Sequence, residues 1–165
     1  MAGILPIAIK DKKIYFLFGR ETVDHVFRDA GKWSDFGGSI EKGEKLEDVA
    51  IREGWEETSG ILGNQKTVKE LVEKKTIQKI TNGTYTTYLV AIDYNNKLPS
   101  IFDTNYKNIK KNKPELIYEH NGLYEKDKIK WIEVDNLHKH KKIFRPFYLS
   151  ILNKVIIYGK SLKNT

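Results

Sequence analysis

The chain has 165 residues, with 29 Lys and Arg against 22 Asp and Glu, a formal charge of +7 and no cysteine. That length suits one domain over residues 1–165 with a single buried core, and the lack of cysteine excludes disulfides and thiolate metal sites and fits a reducing compartment. No apolar run approaches the roughly 18 residues of a membrane span, and Ile4 to Ile9 is too short for a signal core and meets Lys10-Asp11-Lys12-Lys13 at once, so a cytoplasmic protein is expected.

Gly3 to Ile9 and Ile14 to Phe18 read as two strands around the polar turn Lys10 to Lys13, a hairpin. Arg20 and Glu21 lead out of the second strand toward Trp33. The mixed loop Thr22 to Lys32 is expected to cover Val23, Val26, Phe27 and Trp33.

The stretch that organises the chain opens on a glycine turn at Gly37-Gly38 and runs into a helix-favouring segment, about Leu46 to Ser59. Separations of three and four residues put Glu53 beside Glu56 and Glu57 on one helical face, where like charges repel and call for a cation. Hard divalent ions such as Mg²⁺ take oxygen ligands and are held by a few carboxylates together with substrate phosphates. A metal-dependent site acting on phosphates is therefore expected here. From Glu41 to Glu57 seven acids stand against three bases, a local charge of −4, so the rest of the chain carries +11. An acidic metal face in a basic body suits a phosphate-rich substrate drawn in by the field, and scattered solubilising lysines are the alternative.

The same residues carry a family resemblance. Gly38, Glu44, Arg52, Glu53, Glu56 and Glu57 fall in register, without a gap, with the signature of the Nudix hydrolases: a glycine, five residues, a glutamate, seven residues, then Arg-Glu-apolar-any-Glu-Glu-any-Gly-apolar. Two positions depart from it. Gly54 stands at the apolar position, where a mid-helix glycine costs about 1 kcal/mol relative to alanine; it either lets the helix approach the sheet closely or leaves packing to Trp55. Ser59 stands at the closing glycine, with Gly60-Ile61 after it, and Gly60 is expected to end the helix in a left-handed conformation. Upstream, Trp33-Ser34-Asp35-Phe36-Gly37-Gly38 looks like the family's Trp-x-x-Pro-Gly-Gly, with Phe36 replacing proline.

The resemblance implies hydrolysis of a phosphoric anhydride in a nucleoside diphosphate linked to another group, with Mg²⁺ or Mn²⁺ as cofactor. It implies Glu56 and Glu57 as principal metal ligands, Glu53 as ligand or base, and the Gly38 carbonyl as a backbone ligand. Arg52 is implied as a catalytic-site residue holding a carboxylate through a bidentate pair, and Glu44 as the tie between loop and helix. Arg20, Gly37, Lys110 and Lys111 are the candidates for touching substrate, a plain surface arginine being the other reading of Arg20. A distant general base would be Glu115, Glu119 or Glu125. Capped RNA, a diphosphoinositol polyphosphate and a dinucleoside polyphosphate all fit as substrates; a non-catalytic RNA- or nucleotide-binding module is the competing reading.

Beyond the helix, Leu71 to Thr81 is expected as a strand, paired through the Asn82-Gly83 turn with Tyr85 to Ile92 as a hairpin at the centre of a mixed sheet. The polar stretch from about residue 95 to 128 is expected to be a lid, a substrate arm or an insertion without a role. Ile129 to Val134 reads as the last strand, and His138-Lys139-His140-Lys141-Lys142 as a basic run at a helix end. Phe144 to Tyr158 carries apolar residues at helical spacing and is expected to cover the sheet face opposite the signature helix, a homodimer contact being its other possible use. The expected fold is a Nudix-like α/β/α sandwich around a mixed central sheet.

Overall fold

A computed structural model describes residues 1–165. Alternating side chains set the first two strands: β1 (Ala2–Lys10) and β2 (Lys13–Glu21) pair antiparallel from Ile7 with Phe16 to Lys10 with Lys13, across a two-residue turn in which Asp11 and Lys12 both take positive φ. That turn matches the strands' right-handed twist. Beyond it the two strands part, and the short strands β3 (Trp33–Ser34) and β4 (Phe36–Gly38) fill the gap, β3 on β2 and β4 on β1. The glycine turn is thereby wedged into the middle of the sheet.

The signature helix α1 (Leu46–Glu57) follows, opened by the Lys45 amide donating to Asp48 Oδ2 at 2.9 Å. Its close falls at the signature's own glycine position, one residue before the expected Gly60: Ser59 takes φ 52° and Gly60 φ 75°, so the serine adopts the left-handed geometry itself. Helix α2 (Gln65–Lys75) and strand β5 (Thr76–Asn82) come next, then β6 (Tyr85–Ala91). The expected strand Leu71 to Thr81 is thus half helix. Asn64 caps α2 by accepting from the Thr67 amide at 2.9 Å, and Val68 and Val72 are buried one turn apart. An asparagine cap with apolar residues at i and i+4 outweighs the β-branched content up to Thr76. The β5–β6 hairpin also lies at one end of the sheet, not at its centre, which β1 occupies between β6 (parallel) and β2 (antiparallel).

The polar stretch at 95–128 is largely helical: α3 (Leu98–Asn112) and α4 (Glu115–Tyr118). Phe102, Tyr106 and Ile117 are buried, which fixes this segment against the domain. Strand β7 (Lys126–Glu133) pairs along the outer edge of β2, from Tyr15 with Glu133 to Glu21 with Lys126. A 3₁₀ segment (Val134–Ile143) carries the basic run on an exposed face over buried Leu137. The final helix α5 (Leu149–Leu162) starts five residues later than expected, because Phe144 and Arg145 remain extended and Pro146 opens a short 3₁₀ turn.

Two cores flank the sheet. Phe16 and Phe18 of β2 point to one face, with Leu5, Ile7 and α5 residues Ile151, Leu152 and Val155. Leu17 points to the other, with Ile4, Phe36, α1 residues Val49, Ala50 and Ile51, and Val68 and Phe102. This is the α/β/α sandwich with a mixed sheet, and α5 covers the face opposite α1. Gly54 sits where α1 crosses β1: a Cβ there would lie 2.7 Å from Ile4 Cδ1, so the glycine serves close approach of helix to sheet. No helix is long and apolar enough to cross a membrane.

Candidate active site

The parting of β1 and β2 places the Gly37-Gly38 turn against the exposed side of α1, and a cleft of about 710 Å³ opens there. That volume suits a ligand of nucleotide size. Glu53, Glu56 and Glu57 all line it, together with Gly37, Gly38 and Arg52.

Arg52 organises the acids. Its Nε and Nη2 donate to the two Glu44 oxygens at 2.7 and 3.1 Å, Nη1 to Glu53 Oε1 at 2.9 Å and Glu56 Oε2 at 3.3 Å, and Nη2 also to the Ser39 carbonyl at 2.9 Å. The planar fork makes the bidentate Glu44 pair possible where lysine would offer a point charge. Glu44 accepts from the Glu41 amide at 2.8 Å as well, so it ties loop to helix. The guanidinium, hydrogen-bonded first to Glu44 and then to Glu53, is pushed above its ordinary pKa, and Glu44 is held below the usual carboxylate value.

Burial acts in the opposite sense on the other three acids. Glu53 is raised by desolvation against the pull of Arg52, and Glu56 by desolvation and then by Glu53. Glu57 is only 2% exposed, and burial pushes it well above the usual range against the attraction of Lys126. Its Oε2 accepts from the Gly37 amide at 2.8 Å, which puts the glycine turn and the end of α1 in one hydrogen-bonded unit. A Cβ on Gly38 would fall 2.3 Å from Glu53 Oε1, so only glycine leaves that carboxylate its place.

Lys126 is the residue that sequence reasoning missed most completely. It is fully buried at the start of β7, with Nζ 2.5 Å from Glu21 Oε1, 3.0 Å from Ser34 Oγ and 3.7 Å from Glu57 Oε2. Burial alone would lower its pKa, but Glu57 and Glu21 outweigh it and hold the lysine charged. Glu21 in turn accepts from Arg145 Nη1 at 3.1 Å, and Arg145 Nε donates to Asp29 at 3.0 Å. In the sequence Lys126 is one lysine among many, and only its place opposite Glu21 across the sheet marks it.

Of the three possible bases, Glu125 lines the cleft, whereas Glu115 and Glu119 are exposed outside it. Burial, then the charges of Glu21 and Glu53, raise Glu125. Arg20, Lys110 and Lys111 also lie outside the cleft lining. Arg20 is committed to Asp127 through a bidentate pair at 2.7 and 2.9 Å, and Lys110 to Asp24 at 2.7 Å, while Lys111 is exposed on α3. Tyr106 adds hydrogen bonds to Thr22 and Asp24, so α3 braces the 22–32 loop and does not reach toward the carboxylates. That loop leaves Val23, Val26 and Phe27 exposed, contrary to the expected packing; Phe27 and also Phe147, expected in the helical core, instead face the cleft.

A divalent cation is a test of this donor set. The side chains do not converge as a cage of three or more metal-ligating groups. Mg²⁺ does not need one, since it keeps several waters and uses one or two carboxylates together with substrate phosphates. The donors offered are hard oxygens, the glycine at 38 is a cradle that a Cβ would fill, and Gly122 does the same for Glu56, whose Oε2 lies 2.9 Å from where its Cβ would stand. The residues therefore fit a hard divalent ion.

Comparison with known proteins agrees with the fold. The family model of the NUDIX domain matches residues 2–151. Over 59 residues, 35% of this chain, the sequence is 44% identical to an uncharacterized protein of Acanthamoeba polyphaga mimivirus, and the match spans 19% of that protein's length. The structure is similar to a crystal structure of a Nudix hydrolase from M. smegmatis, with a TM-score of 0.60, 12% identity, and coverage of 98% of this chain and 86% of that one. It is similar also to a C. elegans Ap4A hydrolase in a binary complex, with a TM-score of 0.52, 16% identity, and coverage of 97% and 96%. At such identities the likeness shows the fold alone. With the family model spanning nearly the whole chain, this protein belongs to the Nudix family.

Proposed function

We propose that the protein is a divalent-metal-dependent pyrophosphohydrolase that cleaves a phosphoanhydride bond. The observation that supports it is the single network in which Arg52 holds Glu44, Glu53 and Glu56 while Glu57 binds the glycine turn, with Arg52, Glu53, Glu56, Glu57 and that turn all lining one cleft. A pure binding module gains nothing from so many partly buried carboxylates facing one another.

Glu56 and Glu57 with the Gly38 carbonyl would hold the ion, and Glu53 would complete the set. Bound there, Mg²⁺ or Mn²⁺ supplies charge neutralisation on the diphosphate and acidifies water. Arg52 opposes the rise that burial imposes on Glu53 and Glu56 and fixes them in direction. Lys126 offsets the charge of buried Glu57. Glu125, on the wall contributed by the 119–125 loop, takes the proton as a water oxygen attacks phosphorus and the bridging P–O bond breaks toward the leaving phosphate. Its raised pKa brings it nearer to the working pH of a general base.

The substrates in play are capped RNA, dinucleoside polyphosphates, which the name of one structural neighbour also suggests, and diphosphoinositol polyphosphates. A ³¹P NMR assay over these compounds with Mg²⁺ and with Mn²⁺ tests the proposal. Turnover of at least one, abolished by chelator and reduced at least a hundredfold in Glu56→Gln, is expected. Salt-sensitive RNA binding without hydrolysis of any of them would favour the binding-module reading.

A further inference from the structure

One end of the sheet carries a surface that has no part in the chemistry of the cleft. Strand β5 pairs only with β6, so its other side presents backbone groups without a strand partner. Between it and α5 lies a groove of about 390 Å³. Four successive residues, Gln78–Thr81, form one wall, and Lys154, Ile157, Tyr158 and Ser161 form the other. Spacings of three, four and seven place those last four on one face of α5. They run on the order of 10 Å alongside β5, so the groove follows the strand and matches an extended segment of about three residues. Ile80 in it is buried and Tyr158 half-buried, while Ile157 beside them is 71% exposed.

Edge strands are commonly blunted by lysines and bulges, and β5 has both devices. Its pairing shifts between Thr76 and Gln78, and Lys154 Nζ donates to the Thr81 carbonyl at 2.8 Å. Such protection needs no exposed isoleucine, and it leaves Gln78–Ile80 open between the shift and the capped carbonyl. The Thr81 carbonyl faces outward to Lys154, so two residues earlier in an unbroken register the Lys79 backbone faces outward too.

Charge selects the occupant. β5 and α5 carry Lys79, Lys154 and Lys160 and no Asp or Glu. Lys154 meets a backbone carbonyl and Lys79 lies 5.1 Å from the Tyr88 ring centroid, so neither meets a carboxylate. A second copy of the chain across a two-fold axis, the other use expected of α5, would set these lysines against themselves. A nucleic-acid backbone would match the lysines but leave Ile157 without a partner. Lys79 and Ile80 point to opposite faces of the sheet, so an added strand of alternating acidic and apolar residues meets Lys79 with one face and Ile157 with the other.

We propose that the β5 edge and α5 form a docking groove for an extended acidic segment of a partner protein, which joins the sheet as a further strand. The groove is independent of the pyrophosphohydrolase reading, since none of its residues lines the catalytic cleft.

Fluorescence anisotropy with a labelled hexapeptide of alternating glutamate and valine, and with its lysine–valine counterpart, tests the groove on the intact protein. The acidic peptide should bind at least about tenfold more tightly. Bound peptide should also slow hydrogen exchange of the Lys79 amide, which reads main-chain pairing at the edge. Ile157→Gln should weaken binding by about threefold or more. Lys79→Glu/Lys154→Glu should reverse the preference, so that the lysine–valine peptide binds the tighter, an outcome that edge protection by these lysines does not give. Equal affinity for the two peptides would leave the lysines as edge protection alone and overturn the proposal. Two other results would overturn it as well. Displacement of the acidic peptide by heparin, with Ile157→Gln without effect, would mark a polyanion patch, and a dimer in sedimentation that Ile157→Gln dissolves would mark a self-contact.

Discussion

Replacing Lys126 with methionine removes the only cation within salt-bridge distance of Glu57, inside a core where neither partner has access to bulk water. Glu21 retains Arg145 at 3.1 Å, but Glu57 is left with the Gly37 amide alone. Breaking a buried ion pair from one side costs about 3–5 kcal/mol, because a charge remains without compensation. In a domain of this size each kcal/mol lowers the melting temperature by about 2–4 °C, so a fall of about 6–20 °C is expected. Urea melts at pH 7 in EDTA would measure it, with the ion excluded from both sides of the comparison. The decisive arm is a double-mutant cycle: adding Glu57→Gln removes the stranded charge, so Lys126→Met/Glu57→Gln should lose about 1–3 kcal/mol less than the sum of the single changes. A cost below about 1 kcal/mol for Lys126→Met, or simple additivity, would refute the claim that this lysine supports the buried Glu57 carboxylate.

Gly38→Ala would push the Glu53 carboxylate aside, since the new Cβ would stand 2.3 Å from its oxygen, and Mn²⁺ binding by calorimetry should weaken by about 10–100-fold. Unchanged binding would show that Glu53 has no fixed role. Gly54→Ala gains about 1 kcal/mol of helix propensity but overpacks Ile4 at about 1–3 kcal/mol, so urea melts should show a net loss near 1 kcal/mol, and a net gain would contradict the close helix–sheet contact. Burial lifts Asp35 from 3.8 to about 6, against the hydrogen bond from Tyr85. A folded pKa above the unfolded one gives stability that is complete below pH 3.8 and lost as pH rises through about 6, about 3 kcal/mol in all. Asp35→Asn has no such slope, so its stability relative to the parent should rise by up to that amount between pH 4 and pH 7, and parallel profiles would argue against a buried, titrating Asp35.

Much of the site was legible because its residues lie within one helix and its lead-in turn. Helical spacing puts Glu53, Glu56 and Glu57 on one face, whereas the tie of Arg52 to Glu44, which precedes the helix, was expected only from the family resemblance. Lys126, Glu21 and Arg145 were not legible: they meet through strand register and the parting of β1 and β2, and neither leaves a local pattern. The same holds for Phe147, whose helical spacing with Ile151 and Val155 was real but ran past Pro146, where the backbone turns it toward the cleft. Helix α3 was hidden by its Lys- and Asn-rich exposed face, since only Phe102 and Tyr106 mark the buried one. Charge misled in a different way. The +7 total is set by lysines outside the cleft, while the cleft lining itself is acidic.

The central claim is that the α1 carboxylates and the Gly37-Gly38 turn grip a divalent cation. Anomalous scattering from crystals soaked in Mn²⁺ measures this most directly. The account predicts a peak within bonding distance of Glu56 or Glu57 carboxylate oxygens and the Gly38 carbonyl, absent in Glu56→Gln. A soaked crystal with no peak beside α1, or a peak that persists unchanged in that variant, would contradict it.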